Sequence, residues 1–214
     1  METKKYELVE NDTIEVGGHI LYRIKALKTF YNNKIIIHKD DFGGYIENEF
    51  NLSQNDTCWV FDNAKVYGNA YVSEDAKVFR NACISDNACI YGNACISGNA
   101  KVSEYAYVSG NAKVFGNAKV NGNARVFGDA KVYGDAIITE QGDYLCITDL
   151  TPKNTTITFF KIKSKEIFVN CDWFSGTLQE FEKKAIEIYG SDTKYIKGYL
   201  AMISMVKIHF SLVR

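Results

Sequence analysis

The sequence predicts a mainly β chain: a solenoid of short parallel strands, preceded by a β piece and followed by an α+β piece. Three observations lead there. From Asn63 to Glu140 the chain divides without a gap into thirteen six-residue units, with a less regular unit, Thr57–Asp62, in register ahead of them. The second residue of every unit is Ala and the fourth is Val or Ile, from Ala64 and Val66 to Ala136 and Ile138. The first is Asn or Asp in twelve of the thirteen, Tyr105 being the exception, and the last is most often Gly. Strand alternation puts the Ala and Val/Ile side chains on one side and the third and fifth residues on the other. Gly-Asn and Gly-Asp junctions tolerate positive φ, so each unit ends in a sharp corner. A period of six fits neither a 3.6- nor a 3.5-residue helical repeat, and β-branched residues with a Gly in each turn resist helix. Units this short also leave too little strand for an antiparallel meander. A coil of strands, each stacked on its equivalent one turn away, is what remains.

Taken in order, the elements divide the chain at 1–56, 57–140 and 141–214. In the first segment, TIEV and HILYRI flank Gly17-Gly18 and predict a hairpin. KIIIH predicts a further strand, and Gly44 in DFGGYI a turn entering the first coil. The middle segment is the solenoid. In the last, DYLCIT and TTITFFKIKSKEIFV predict strands. Thr177 and Glu180 form a capping box that opens a helix from Leu178 to Tyr189, which Gly190 ends. A second helix is expected from Asp192 to Phe210, with Leu200, Ile203, Val206 and Phe210 on its apolar face. The two flanking segments read as caps, because the open ends of a solenoid need protection.

The tandem aliphatic-x-Gly-Asn-Ala-x hexad resembles the hexapeptide-repeat left-handed parallel β-helix, known best from bacterial acyltransferases. The resemblance implies three hexads per triangular coil. It also implies the left hand, where the general crossover rule by itself would favour a right-handed turn. The flanks KDDFGGYIENEFNLS, NDTCWVFDNA, CDWFSGTLQEFEKKAIEIYG and KYIKGYLAMISMVKIHF extend it: the whole arrangement resembles the phage and prophage hexapeptide-repeat proteins. The function this implies is non-catalytic, the occupation of a host component, with counter-defence inhibition as one form.

Composition narrows the classes further. The 25 basic and 26 acidic residues leave a formal net charge of −1, so nothing global attracts nucleic acid or an anionic membrane surface. No run of apolar residues reaches membrane-spanning length, and the first residues lack a signal-peptide core, so a cytoplasmic protein is expected. The six cysteines then read as thiols.

No catalytic set is legible. Acyltransferases of the resembled family use a histidine beside a coenzyme A groove, and His19, His38 and His209 all lie outside the repeats. His38 precedes Asp40 and Asp41, which alone is a loop histidine near solvated carboxylates. Acyl transfer is therefore the runner-up, beside a self-associating structural protein. No metal site is assigned: Cys83, Cys89 and Cys95, six apart, must face three directions. Cys58 sits at an inward position, and Cys146 and Cys171 are isolated. No cofactor is assigned either, because Gly17-Gly18 and Gly43-Gly44 match no phosphate-binding pattern.

The outward columns carry the candidate site. Residues eighteen apart share a face. One face holds Lys77, Cys95, Lys113 and Lys131 beside Phe79, Ser97, Phe115 and Tyr133; a second holds Tyr71, Cys89, Tyr107 and Arg125 beside Ser73, Tyr91, Ser109 and Phe127. The third, from Lys65 to Asn121, is mostly polar. Lys77, Phe79, Lys113, Phe115, Lys131 and Tyr133, with Tyr107, Arg125 and Phe127, are the candidate binding residues. Rings and cations together suit a second copy of the chain or a host protein, and could also take a nucleotide or single strand. The competing reading is that the rings form ladders that stabilise stacked strands.

Overall fold

A computed structural model describes residues 4–148, 156–190 and 193–212. Fourteen two-residue strands, from Trp59–Val60 to Ile137–Ile138, recur every six residues and build a parallel solenoid of between four and five turns. They stack in three sheets. The first runs through Lys65, Cys83, Lys101, Lys119 and Ile137, the second through Tyr71, Cys89, Tyr107 and Arg125, and the third through Trp59, Lys77, Cys95, Lys113 and Lys131. Each strand pairs in parallel with the one eighteen residues away, as Cys83 with Lys101 and Cys89 with Tyr107. Every repeat Ala and Val/Ile, from Ala64 to Ile138, is fully buried in one continuous core.

The coil-to-coil hydrogen bonds all point one way. The N–H of a third-position residue donates to the carbonyl of the Ala on the next coil, as Lys65 N to Ala82 O at 2.9 Å and Lys101 N to Ala118 O at 2.9 Å. The N-terminal end therefore presents unpaired carbonyls, and the C-terminal end unpaired N–H groups.

The corners repeat a second kind of bond. The sixth residue adopts a left-handed backbone in five units where it is not Gly: Asp62, Glu74, Arg80, Asp86 and Glu104 have φ between 54° and 60°, whereas Glu140, at the end of the last unit, is extended. Four of these are acidic, and each carboxylate accepts the N–H of the corner one coil on: Asp62 from Arg80, Glu74 from Gly92, Asp86 from Glu104 and Glu104 from Gly122, at 2.8–3.1 Å. These bonds offset the cost of the left-handed corner. First-position amides form ladders along the edges, as Asn81–Asn99–Asn117–Asp135 and Asn93–Asn111–Asp129. Asn can donate and accept, so it relays the ladder, whereas Asp only accepts and ends it. The third ladder, begun by Asn69 and Asn87, meets Tyr105, which lies 61% exposed.

The N-terminal segment supplies donors. A hairpin of β1 (Tyr6–Val16) and β2 (His19–Ala26) turns at Gly17-Gly18, and β5 (Phe42–Ile46), after a small β3–β4 hairpin (Phe30–Asn32 and Ile35–Ile37), runs antiparallel to β2. β5 then pairs in parallel with Lys65–Val66, so parallel stacking begins at Tyr45. The expected turn at Gly44 is instead this strand. A Cβ on Gly43 would lie 2.6 Å from the Val60 carbonyl, and one on Gly44 2.5 Å from that of Ala64, so the strand needs glycine to lie this close to the first coil. Three buried polar side chains take outward-facing carbonyls: Lys5 Nζ those of Asp56 and Cys58, Asn32 Nδ2 that of Thr57, and Asn51 Nδ2 that of Ala70, at 2.8–2.9 Å.

The C-terminal segment supplies acceptors. Four antiparallel strands (Tyr144–Ile147, Ile157–Lys161, Ile167–Cys171 and Phe174–Thr177) form a sheet, followed by α1 (Leu178–Tyr189) and α2 (Lys194–Leu212). The last of these strands is not foreseen in the sequence. Alternation splits the sheet between two cores: Phe160 packs on the solenoid and Phe159 on the helices. Thr158 Oγ1 accepts the N–H of Lys131 at 3.1 Å, and Asp143 Oδ2 that of Thr139 at 2.8 Å. Burial would raise the Asp143 pKa, but the bonds from Thr139, Lys161 and Glu140 outweigh it and hold the carboxyl below its usual value. α1 opens on the Thr177–Glu180 capping box and stops at Gly190, φ 73°. On α2, Ile203, Val206 and Phe210 are buried and Leu200 half-buried; Asp192 lies outside the described residues. No helix among the described residues is long and apolar enough to cross a membrane.

The central coil provides a direct check of this register. Val102→Asp places an uncompensated charge in the core, which costs on the order of 3–5 kcal/mol. Thermal melting followed by circular dichroism should show a large fall in Tm or loss of the folded state; a soluble variant melting like the parent contradicts the inward assignment.

Candidate functional site

The structure divides the candidate residues between two faces with different surroundings. On the third sheet, Phe79 stacks on Phe61 with ring centroids 4.3 Å apart, and Phe115 on Tyr133 at 4.9 Å. Ser97 separates the two pairs. Lys77 is half-buried, donates to the Asp75 carbonyl at 3.0 Å, and burial lowers its pKa. The C-terminal sheet packs over the end of this face. Tyr133 meets Phe160 and Phe168 edge-on and its hydroxyl bonds Asn170 and Ser175, while Lys131 pairs with Asp172 at 3.1 Å. Lys113 is the exposed cation of this column.

The second sheet is open at its C-terminal end. Tyr107 is 36% exposed and Phe127 49%. The Arg125 guanidinium lies over the Tyr107 ring, 5.5 Å from its centroid, and Tyr91 meets the same ring edge-on. Tyr91, Tyr107, Ser109, Arg125, Phe127 and Gln141 line a cleft of about 440 Å³. A neighbouring one of about 410 Å³ shares Phe127 and Gln141 and continues past Tyr144 and Cys146 to His209. The chain thus brings Tyr107, Arg125 and Phe127 together on one surface, apart from the Lys77–Tyr133 column.

Sequence reasoning did not reach Gln141, Tyr144, Cys146 and His209 as lining groups. They lie beyond the repeat, and no period connects them to it. His209 Nε2 is 3.0 Å from the Gly142 carbonyl. Burial pushes the Cys146 thiol pKa up, so it is a poor nucleophile at neutral pH. The other histidines lie elsewhere: His19 pairs with Glu47 at 2.9 Å beside the Tyr67 ring, and at His38 it is the backbone N–H that donates to Asp41. Cys83, Cys89 and Cys95 stand on three different sheets. No protein-family model matches the chain, and no curated protein matches it.

The packing around Tyr133 generates a stability prediction. Tyr133→Ser removes its stack on Phe115 and its edge contacts with Phe160 and Phe168, and should cost about 2–3 kcal/mol in denaturant unfolding. Unchanged stability would mean that these ring contacts do not hold the C-terminal sheet to the solenoid.

Proposed function

We propose that the chain is a non-catalytic binding protein of the phage hexapeptide-repeat kind, a left-handed β-helix that acts in a host cytoplasm by occupying a host component. Inhibition of a host defence protein is the form that the resemblance favours. The observation that carries the reading is the cluster of Tyr107, Arg125 and Phe127, exposed together on rigid stacked strands. Folding does not require rings and a guanidinium at these outward positions, and the first sheet uses Lys119 and Asn121 at equivalent ones. Exposed Tyr, Phe and Arg on a preorganised surface suit association at little entropic cost. A sister subunit could use the same surface.

A second reading, acyl transfer, is favoured by His209 on the wall of the neighbouring cleft. The two readings separate in one set of measurements. The parent protein should retain a discrete component from bacterial lysate. Tyr107→Ser/Phe127→Ser should lose it while Lys101→Ala keeps it, and acetyl-CoA should not turn over with amine or hydroxyl acceptors. Turnover abolished by His209→Ala would overturn the non-catalytic reading. Capture indifferent to the Tyr107/Phe127 change would overturn the choice of face.

A further inference from the structure

The one-way hydrogen bonds leave a specific deficit at the C-terminal end of the solenoid. Each sheet ends there on N–H groups that need acceptors. On the third sheet Thr158 supplies one, and on the first Asp143 does, beside a bridge between Ala136 and Ile162. On the second sheet Arg125–Val126 is the edge strand. There the Tyr144 ring meets the Phe127 ring edge-on, with centroids 6.3 Å apart. The Arg125 N–H finds no acceptor among the described residues, and the Arg125 guanidinium has no carboxylate within ion-pair distance there. Its one described contact is the Tyr107 ring. The Arg125 guanidinium, with no ionic partner among the described residues, therefore stands on a cleft of about 440 Å³ walled by exposed aromatic rings.

We propose that this cleft binds a small planar anion of mononucleotide size, its anionic group on Arg125 and its ring against Phe127 and Tyr107. A guanidinium takes a phosphate or carboxylate through paired charge-assisted bonds, and a ring face accepts a heterocycle regardless of its hydrogen-bonding pattern. Gln141 and Ser109, on the same walls, offer polar groups for the ligand's edge. With a single cation on the cleft, a long polyanion is poorly served, because each phosphate contact needs its own neutralising charge. The proposal rests on the reading of the second sheet as the binding face and gives that face a small ligand in place of a host protein.

Titration calorimetry of the full chain with AMP, adenosine and inorganic phosphate tests it. AMP should bind with a Kd below about 1 mM, and the ring alone and the phosphate alone should each bind about tenfold more weakly or worse. Arg125→Gln and Phe127→Ser should each weaken AMP by about tenfold with Tm unchanged, and Lys101→Ala should bind as the parent does. If benzoate matches AMP, the carboxylate is the preferred anion and the planar-anion class stands. Absence of AMP and benzoate binding, or AMP affinity equal in Arg125→Gln and parent, overturns the proposal. Lysate capture that persists alongside such a failure leaves the binding-protein reading intact. AMP binding without capture of a host component supports this site and removes that reading.

Discussion

The direction of the coil-to-coil hydrogen bonds governs the rest of the molecule. Every repeat strand donates towards the C-terminal end, so the stack has a carbonyl end and an N–H end. The two flanking segments meet these opposite needs with opposite chemistry. Lys5, Asn32 and Asn51 bring buried donors to the first coil, whereas Asp143 and Thr158 bring acceptors to the last. Buried carbonyls and N–H groups left without partners cost about as much as lost hydrogen bonds, so this matching removes a penalty that the open ends of a short solenoid would otherwise carry.

That polarity also shapes the surface. The C-terminal segment reaches the end of the third sheet at Tyr133 and Lys131, and the end of the first through Asp143 and Ile162. Its coverage of the second sheet is partial, through Tyr144 and Gln141, and this leaves a cleft beside Arg125. The open site thus arises where the end of the stack is incompletely satisfied. Rings of the same kind have different surroundings on the two faces: Tyr133, stacked on Phe115, packs against the neighbouring sheet, while Tyr107 and Phe127 stay exposed.

Much of the solenoid was legible because its constraint is local and repeated. Ala and Val/Ile at fixed positions give the core, and the columns and three faces follow once the family resemblance supplies three units per turn. The corner acids stand in a position that is mostly Gly; their meaning needs the neighbouring coil, where Asp86 meets the N–H of Glu104. The flanks have no period. Gly43-Gly44 reads locally as a turn, and only contact with Val60 and Ala64 shows why a strand there needs glycine. The cleft was half legible: Tyr107, Arg125 and Phe127 share a face by spacing, but Gln141 and His209 arrive by a fold-back that no local pattern announces.

If register is the controlling constraint, length changes should be tolerated by phase rather than by size. Deleting residues 81–98 removes one whole turn and rejoins Arg80 to Asn99, keeping every ladder in step. Deleting 81–95 removes less chain but shifts the hexad phase. The account predicts a cooperative thermal melt for the first protein, with Tm near the parent's, and an unfolded or aggregated second protein. Equal stability of the two, or a more stable fifteen-residue deletion, would contradict it.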